Sequence, residues 1–200
     1  MEGDEAFSDQ LEGWLRSDGS KTLGALSSVF AEKSFAVTIL LLMFLPAVPL
    51  PTGGITHVFE AITVVLAAEM VLGHRTLWLP ARWKARELGA LTTDKAIPFM
   101  LRVIRWFERF SKPRGAWWFG QRWMLRVLGL LIGGLATAAA LAPPFSGLDT
   151  LPSLGAVVIA LAIILEDAVV LAIGVVVGAG GTLLILTIGA ALVRGVQGLF

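Results

Sequence analysis

The 200-residue chain has no cysteine and only two histidines, His57 and His74. Disulfides and thiolate metal sites are thereby excluded. Charge is scarce too: 16% of residues are Asp, Glu, Lys or Arg, where a soluble domain carries about 25%. There is no P-loop, no GxGxxG opening a helix, no HExxH and no GxSxG. No enzymatic activity, catalytic residue, cofactor or nucleic-acid partner is therefore expected. The acidic start MEGDEAFSDQLEGW lacks the basic and apolar parts of a secretory signal, so insertion is expected to rely on internal segments.

What remains is apolar, at 56% hydrophobic residues, and the little charge is segregated. Residues 1–34 hold seven acids and three bases, and residues 74–126 hold twelve Lys/Arg against Glu87, Asp94 and Glu108. A chain divided this way is shared between two solvents. The expected fold is all-α, a polytopic membrane helix bundle in a bacterial inner membrane. Four parts are expected: an acidic lead over 1–34, a first membrane repeat over 35–73, a basic connector over 74–123, and a second repeat with a C-terminal helix over 124–200. In the lead, Asp9 to Ser17 reads as an amphipathic helix with Leu11, Trp14 and Leu15 on one face.

The first apolar run, Ala36–Val48, has 13 residues and would rise about 20 Å as a helix, short of a hydrocarbon core about 30 Å thick. Pro46, Pro49 and Pro51 follow, then Gly53 and Gly54. Proline removes a backbone donor and stops helices, so this stretch is expected to be a re-entrant or broken segment facing protein or water. The second run, Ile55–Gly73, is long enough to span and carries His57, Glu60 and Glu69. His57 and Glu60 are three apart and can face one another. Further metal ligands are lacking, and no metal is assigned. Glu60 and Glu69 are nine apart and point to opposite sides.

In the connector, Lys95–Lys112 reads as an interfacial helix with Arg102, Arg105, Arg109 and Lys112 on one stripe, placed to meet lipid headgroups in the plane of the membrane surface. Six of the seven tryptophans lie between Trp78 and Trp123, where an aromatic belt would sit. The third run, Met124–Ala142, ends at Pro143 and Pro144. The fourth, Leu154–Val177, carries Glu166 and Asp167 inside it, and Gly178–Gly181 reads as a turn or hinge before a last run, Thr182–Val193. Intramembrane acids cost about 2.5–3.5 kcal/mol on insertion scales and mark functional sites. The two halves also align at an offset of 97 residues, which superposes Pro46 on Pro143, Ile62 on Ile159 and Glu69 on Glu166. An internal two-fold repeat is expected. Economy of buried polar groups then predicts that Glu166 and Asp167 share one site with the two Pro-rich breaks.

FLPAVPLPTG, then GHRTLWLP after an apolar helix, and LPSLGAVVIALAIILEDAVVLAIG in the second half resemble the ExoD family of bacterial exopolysaccharide-synthesis proteins. The resemblance covers roughly residues 20–195. It implies an inner-membrane protein linked to exopolysaccharide production, and no reaction. Family members typically have Gly where this chain has Ala168, and often Gln at Glu69. Two functions are open: transport or flipping of an anionic, polyprenyl-phosphate-like substrate, or service as an accessory subunit of an exopolysaccharide machine. Membrane lipid, the anionic substrate, a second copy of the chain or that machinery are the expected partners.

Overall fold

A computed structural model describes residues 7–22, 25, 33–48, 55–74, 97–143 and 146–197. Among these there are eight helices and no β-strand. They are α1 (Phe7–Arg16), α2 (Ser34–Phe44), α3 (Ile55–Leu72), α4 (Ile97–Glu108), the single turn α5 (Ala116–Phe119), α6 (Arg122–Ala140), α7 (Thr150–Leu165) and α8 (Ala168–Gln197).

Two of them, α6 and the Ala168–Ala191 part of α8, are long and apolar enough to cross a membrane. The helices α2 and α7 are equally apolar but have 11 and 16 residues. They are the core of the molecule: Ser34 to Leu40 of α2 and Ala156 to Ala162 of α7 are buried without a break. Around them α3, α6 and α8 turn apolar side chains outward. Val58, Val65 and Leu72 on α3, Leu130 on α6, and Val176, Leu183 and Leu186 on α8 are each more than half exposed. Exposed apolar side chains in this number call for a lipid or protein partner.

Small residues set the helix pairs. A Cβ on Gly129 of α6 would come within 2.9 Å of the Ala67 carbonyl and Met70 of α3, and Gly73 lies beside Arg126, so α3 and α6 run antiparallel in close contact. Likewise Gly155 meets Gly178, Ile159 meets Gly174, and Leu151 and Pro152 meet Gly181, which makes α7 and α8 a tight antiparallel hairpin. The glycines at 178–181 are therefore not the expected hinge. They lie within the continuous α8, where Gly178 and Gly181 admit the neighbouring backbone, as small-residue seams do between apolar helices.

The other departure lies at the opposite end of that hairpin. The fourth apolar run is not one helix: α7 stops at Leu165 and α8 begins at Ala168. Glu166 adopts the left-handed conformation at φ 54°, and the Asp167 N–H reaches back to the Ala162 carbonyl at 3.2 Å, as in a Schellman helix ending. Asp167 then caps α8, its Oδ1 accepting the Val169 N–H at 2.8 Å.

The amphipathic helices α1 and α4 pair along their apolar sides, burying Phe7, Leu11 and Trp14 with Ile97, Leu101 and Ile104. Polar contacts fix the register: the Ser8 N–H and hydroxyl donate to Glu108 at 3.0 and 2.5 Å, and Arg105 pairs with Glu12. At its start α4 meets the far end of α2 through Phe99 and Phe44, with ring centroids 5.2 Å apart. Beyond its end, Ser111 and Lys112 bind Asp167, beside the start of α2. The helix thus touches the end of α2 at its start and leads to the α7–α8 corner beyond its end. Lys112 falls past Glu108, outside α4, and leaves the basic stripe that includes Arg102, Arg105 and Arg109.

Candidate functional site

The sequence-predicted polar residues fall at two ends of the bundle. At one end lies the corner between α7 and α8. Lys33, just before α2, donates to the Ile164 carbonyl at 2.8 Å and pairs with Glu166 at 3.1 Å. Asp167 is 1% exposed. Its Oδ2 accepts from the Ser111 hydroxyl and the Lys112 N–H, both at 3.0 Å, and lies 3.9 Å from Arg114. Burial pushes this carboxyl up, but the N–H groups of Lys112 and Val169, the Ser111 hydroxyl and Arg114 outweigh it and hold Asp167 below the usual aspartate range. Every oxygen of Asp167 is committed to holding the chain in place. Glu69 stands in the last turn of α3, at the level of Arg126 and this same end.

The other end holds the start of α3. His57 Nδ1 and Glu60 Oε2 are 2.6 Å apart, the contact that their spacing of three allows. The Glu60 side chain is fully buried while that of His57 is 28% exposed, so the histidine forms the outer member of the pair. Among the described residues Glu60 Oε1 has no hydrogen-bond partner, and the same is true of the buried Ser153 hydroxyl in the first turn of α7. Asp149, at the start of α7, lies within electrostatic range of Glu60. Two helix starts therefore bring a His–Glu pair, an unpartnered carboxyl oxygen and an unpartnered hydroxyl to one end of the bundle. A buried unsatisfied oxygen forgoes about 1–3 kcal/mol unless something else binds it.

Pro143 follows the end of α6, and Pro46 follows the end of α2, 13 residues or about 20 Å from Lys33. The structure accordingly does not assemble Glu166 and Asp167 with Pro46 and Pro143 into one site, because the length of α2 and α7 separates them. Pro49, Pro51, Gly53, Gly54 and Pro144 lie outside the described residues. The unanticipated participants are Asp149 within electrostatic range of Glu60, Ser153 in the first turn of α7, and Lys33, Ser111 and Arg114 at the corner. They come from the acidic lead (Lys33), the basic connector (Ser111, Arg114) and the link before the fourth apolar run (Asp149, Ser153), and nothing in their local spacing marks them.

Comparison with known proteins agrees with the quoted segments. The family model described as "Exopolysaccharide synthesis, ExoD" matches residues 7–187. Protein ExoD of Rhizobium meliloti is 28% identical over 177 residues, covering 84% of this chain and 71% of that protein. An uncharacterized protein of Synechocystis sp. is 24% identical over 132 residues, 66% of this chain, and the match spans 61% of the cyanobacterial protein's length. No solved structure matches. The chain belongs to the ExoD family of exopolysaccharide-synthesis proteins.

Proposed function

We propose that this chain is a multi-pass protein of the bacterial inner membrane that carries an anionic, polyprenyl-phosphate-like substrate in exopolysaccharide assembly, with His57 and Glu60 as its proton-exchanging pair. The observation that carries this reading is Glu60 itself: fully buried on a helix with an apolar outer face, one oxygen 2.6 Å from His57 and the other without a partner among the described residues. Ionisable groups so placed line substrate and proton pathways in membrane proteins. Protonation of the pair removes the negative charge that would repel an anion, and loss of the proton restores the repulsion and favours release.

The helix order supports a topology in which the corner and the basic connector are cytoplasmic, as the concentration of Lys and Arg over 74–126 requires. The helices α2, α6 and α8 then lead outward while α3 and α7 return, and the His57–Glu60 end faces the periplasm. A run of 11 helical residues in α2 rises about 16 Å, which favours an incomplete crossing before the Pro-rich break. The internal repeat gains support from packing. At the offset of 97, the α2–α3 unit corresponds to the later part of α6 with α7, Pro46 and Pro143 each follow the outgoing helix, and the close pairing of α3 with α6 has its counterpart in that of α7 with α2. Both units run in the same direction, so the repeat is of the parallel kind.

Glu60→Gln and His57→Gln are expected to abolish exopolysaccharide output in a strain lacking the native protein while the detergent-solubilised variants melt as the wild type does. Wild-type output from both would remove the carrier reading. An accessory role would then stand in front, and one observation already favours it: Glu166 and Asp167, the acids expected to lead into a pathway, are engaged by Lys33, Ser111, Lys112 and Arg114 in a structural corner.

A further inference from the structure

The geometry points to a second site, on α4, for a phosphate-bearing anion. It does not depend on the carrier reading. Pro98, Arg102, Arg105, Trp106 and Arg109 line a cleft of about 350 Å³. These positions fall on one face of the helix, and all five residues are exposed. Arg102 and Arg109 are seven residues apart, about 10 Å along the axis, with Arg105 between them. The three long side chains can converge on one phosphate or on two adjacent ones.

The charge of the face is not cancelled from within. Among the described residues its ion pairs are those of Arg105 alone, with Glu12 and, at 3.8 Å, with Asp9. Glu12 is shared with Arg16. Glu108, on the same helix, accepts both donors of Ser8. Two guanidinium groups of the cleft thus keep their hydrogen-bonding edges open, and guanidinium is the side-chain group best matched to phosphate oxygens. Trp106, 57% exposed, adds an indole N–H and an apolar wall beside Pro98. That combination suits an anion carrying phosphate on an organic body. Lysine-type recognition of diffuse charge would need neither the ring nor the cleft.

The first helix of the chain adds a control. Glu12 and Asp9 of α1 occupy Arg105, so an incoming phosphate competes with the carboxylates of α1 for the middle arginine. Phosphate binding and the α1–α4 ion pair are alternatives at that residue.

The test uses the full chain in neutral detergent and calorimetric titration with three probes: dihexanoyl-phosphatidylglycerol, inorganic pyrophosphate, and dihexanoyl-phosphatidylcholine as the zwitterionic control. At least one anionic probe is expected to bind one per chain, about tenfold more tightly than the control. Arg102→Gln combined with Arg109→Gln should weaken it by about tenfold or more, because both open guanidinium groups lose their charge-assisted hydrogen bonds to the phosphate oxygens. Glu12→Gln should tighten it severalfold by releasing Arg105, a gain that a folding defect cannot imitate. Binding of the glycerophospholipid alone identifies a membrane headgroup as the source, and binding of pyrophosphate alone identifies a soluble phosphate. Absence of binding by both anions, equal binding of the control, or indifference to the arginine pair and to Glu12 overturns the site. Glu60→Gln should bind the probes as the wild type does, so the two readings fail separately.

Discussion

Asp167 permits a graded dissection of the corner. Its Oδ1 caps α8 through the Val169 N–H, while Oδ2 takes the Ser111 hydroxyl, the Lys112 N–H and the nearby Arg114. Asp167→Asn keeps the capping oxygen but turns an amide NH2 toward the Lys112 N–H. Ser111 can reverse its hydroxyl and adapt, whereas the backbone donor cannot. One charged hydrogen bond is lost and a buried N–H is left unpaired, together about 2–3 kcal/mol. Asp167→Ala also loses the cap, a further 1 kcal/mol or so, for about 3–4 kcal/mol in all. The assay is equilibrium unfolding in mixed detergent, read by tryptophan fluorescence. Because the folded-state pKa of Asp167 is depressed, its contribution is present above the ordinary aspartate value, about 3.9, and disappears as pH falls through the lower folded-state value. Wild-type stability should therefore drop on acidification through that window, and the Asn variant should show a flatter profile. A structural Asp167 loses stability first and output only in proportion. Wild-type unfolding of the Ala variant, or full stability with complete loss of output, would refute the corner and return Asp167 to a transport pathway.

Glu166→Gly should be more stable than Glu166→Ala by about 1 kcal/mol, because both lose the half-exposed Lys33 pair and only glycine escapes the left-handed strain; the reverse order would argue against that backbone. Gly155→Val should weaken the α7–α8 hairpin by about 1–3 kcal/mol or more through collision with the backbone of Gly178 and Gly174, seen as a lower melting temperature, and an unchanged melt would deny the close approach. The cysteine-free background suits topology mapping: Lys112→Cys should react with an impermeant maleimide only from the cytoplasm and Ser146→Cys only from the periplasm, and the opposite pattern would invert the proposed orientation.

Much of the architecture could be read from the chain. The amphipathic lead appears as α1 with Leu11 and Trp14 buried, and the spacing of His57 and Glu60 brings their side chains together. The corner was not legible as a break because apolar residues flank Glu166 and Asp167 on both sides and neither glycine nor proline interrupts them. The available signal was subtler: an aspartate immediately before an apolar helical run is a good cap, and two adjacent acids are cheaper at a helix junction than in a continuous apolar helix. Conversely, Gly178–Gly181 looked like punctuation because glycine is a turn residue in water. Between apolar helices its smallness serves contact, and only the position of α7 reveals which role applies. The link between Asp149 and Glu60 joins two residues 89 apart, each near a helix start, a juxtaposition no local pattern encodes.

Lys33 binds a carbonyl 131 residues further along the chain. At synthesis rates of about 5–20 residues per second, roughly 7–26 s pass between the emergence of this lysine and that of its acceptor. Ser111, Lys112 and Arg114 wait for Asp167 through a shorter interval. The final hairpin is therefore the keystone in time as well as in space. Until it arrives, the basic groups of the lead and the connector have nothing at this corner to close upon, and the nascent bundle stays open on the face that α7 will fill. Quality control that senses exposed polar groups at the membrane would have its longest opportunity in that interval, and a chain halted before Glu166 would present Lys33 without the carboxylate that meets it in the finished fold.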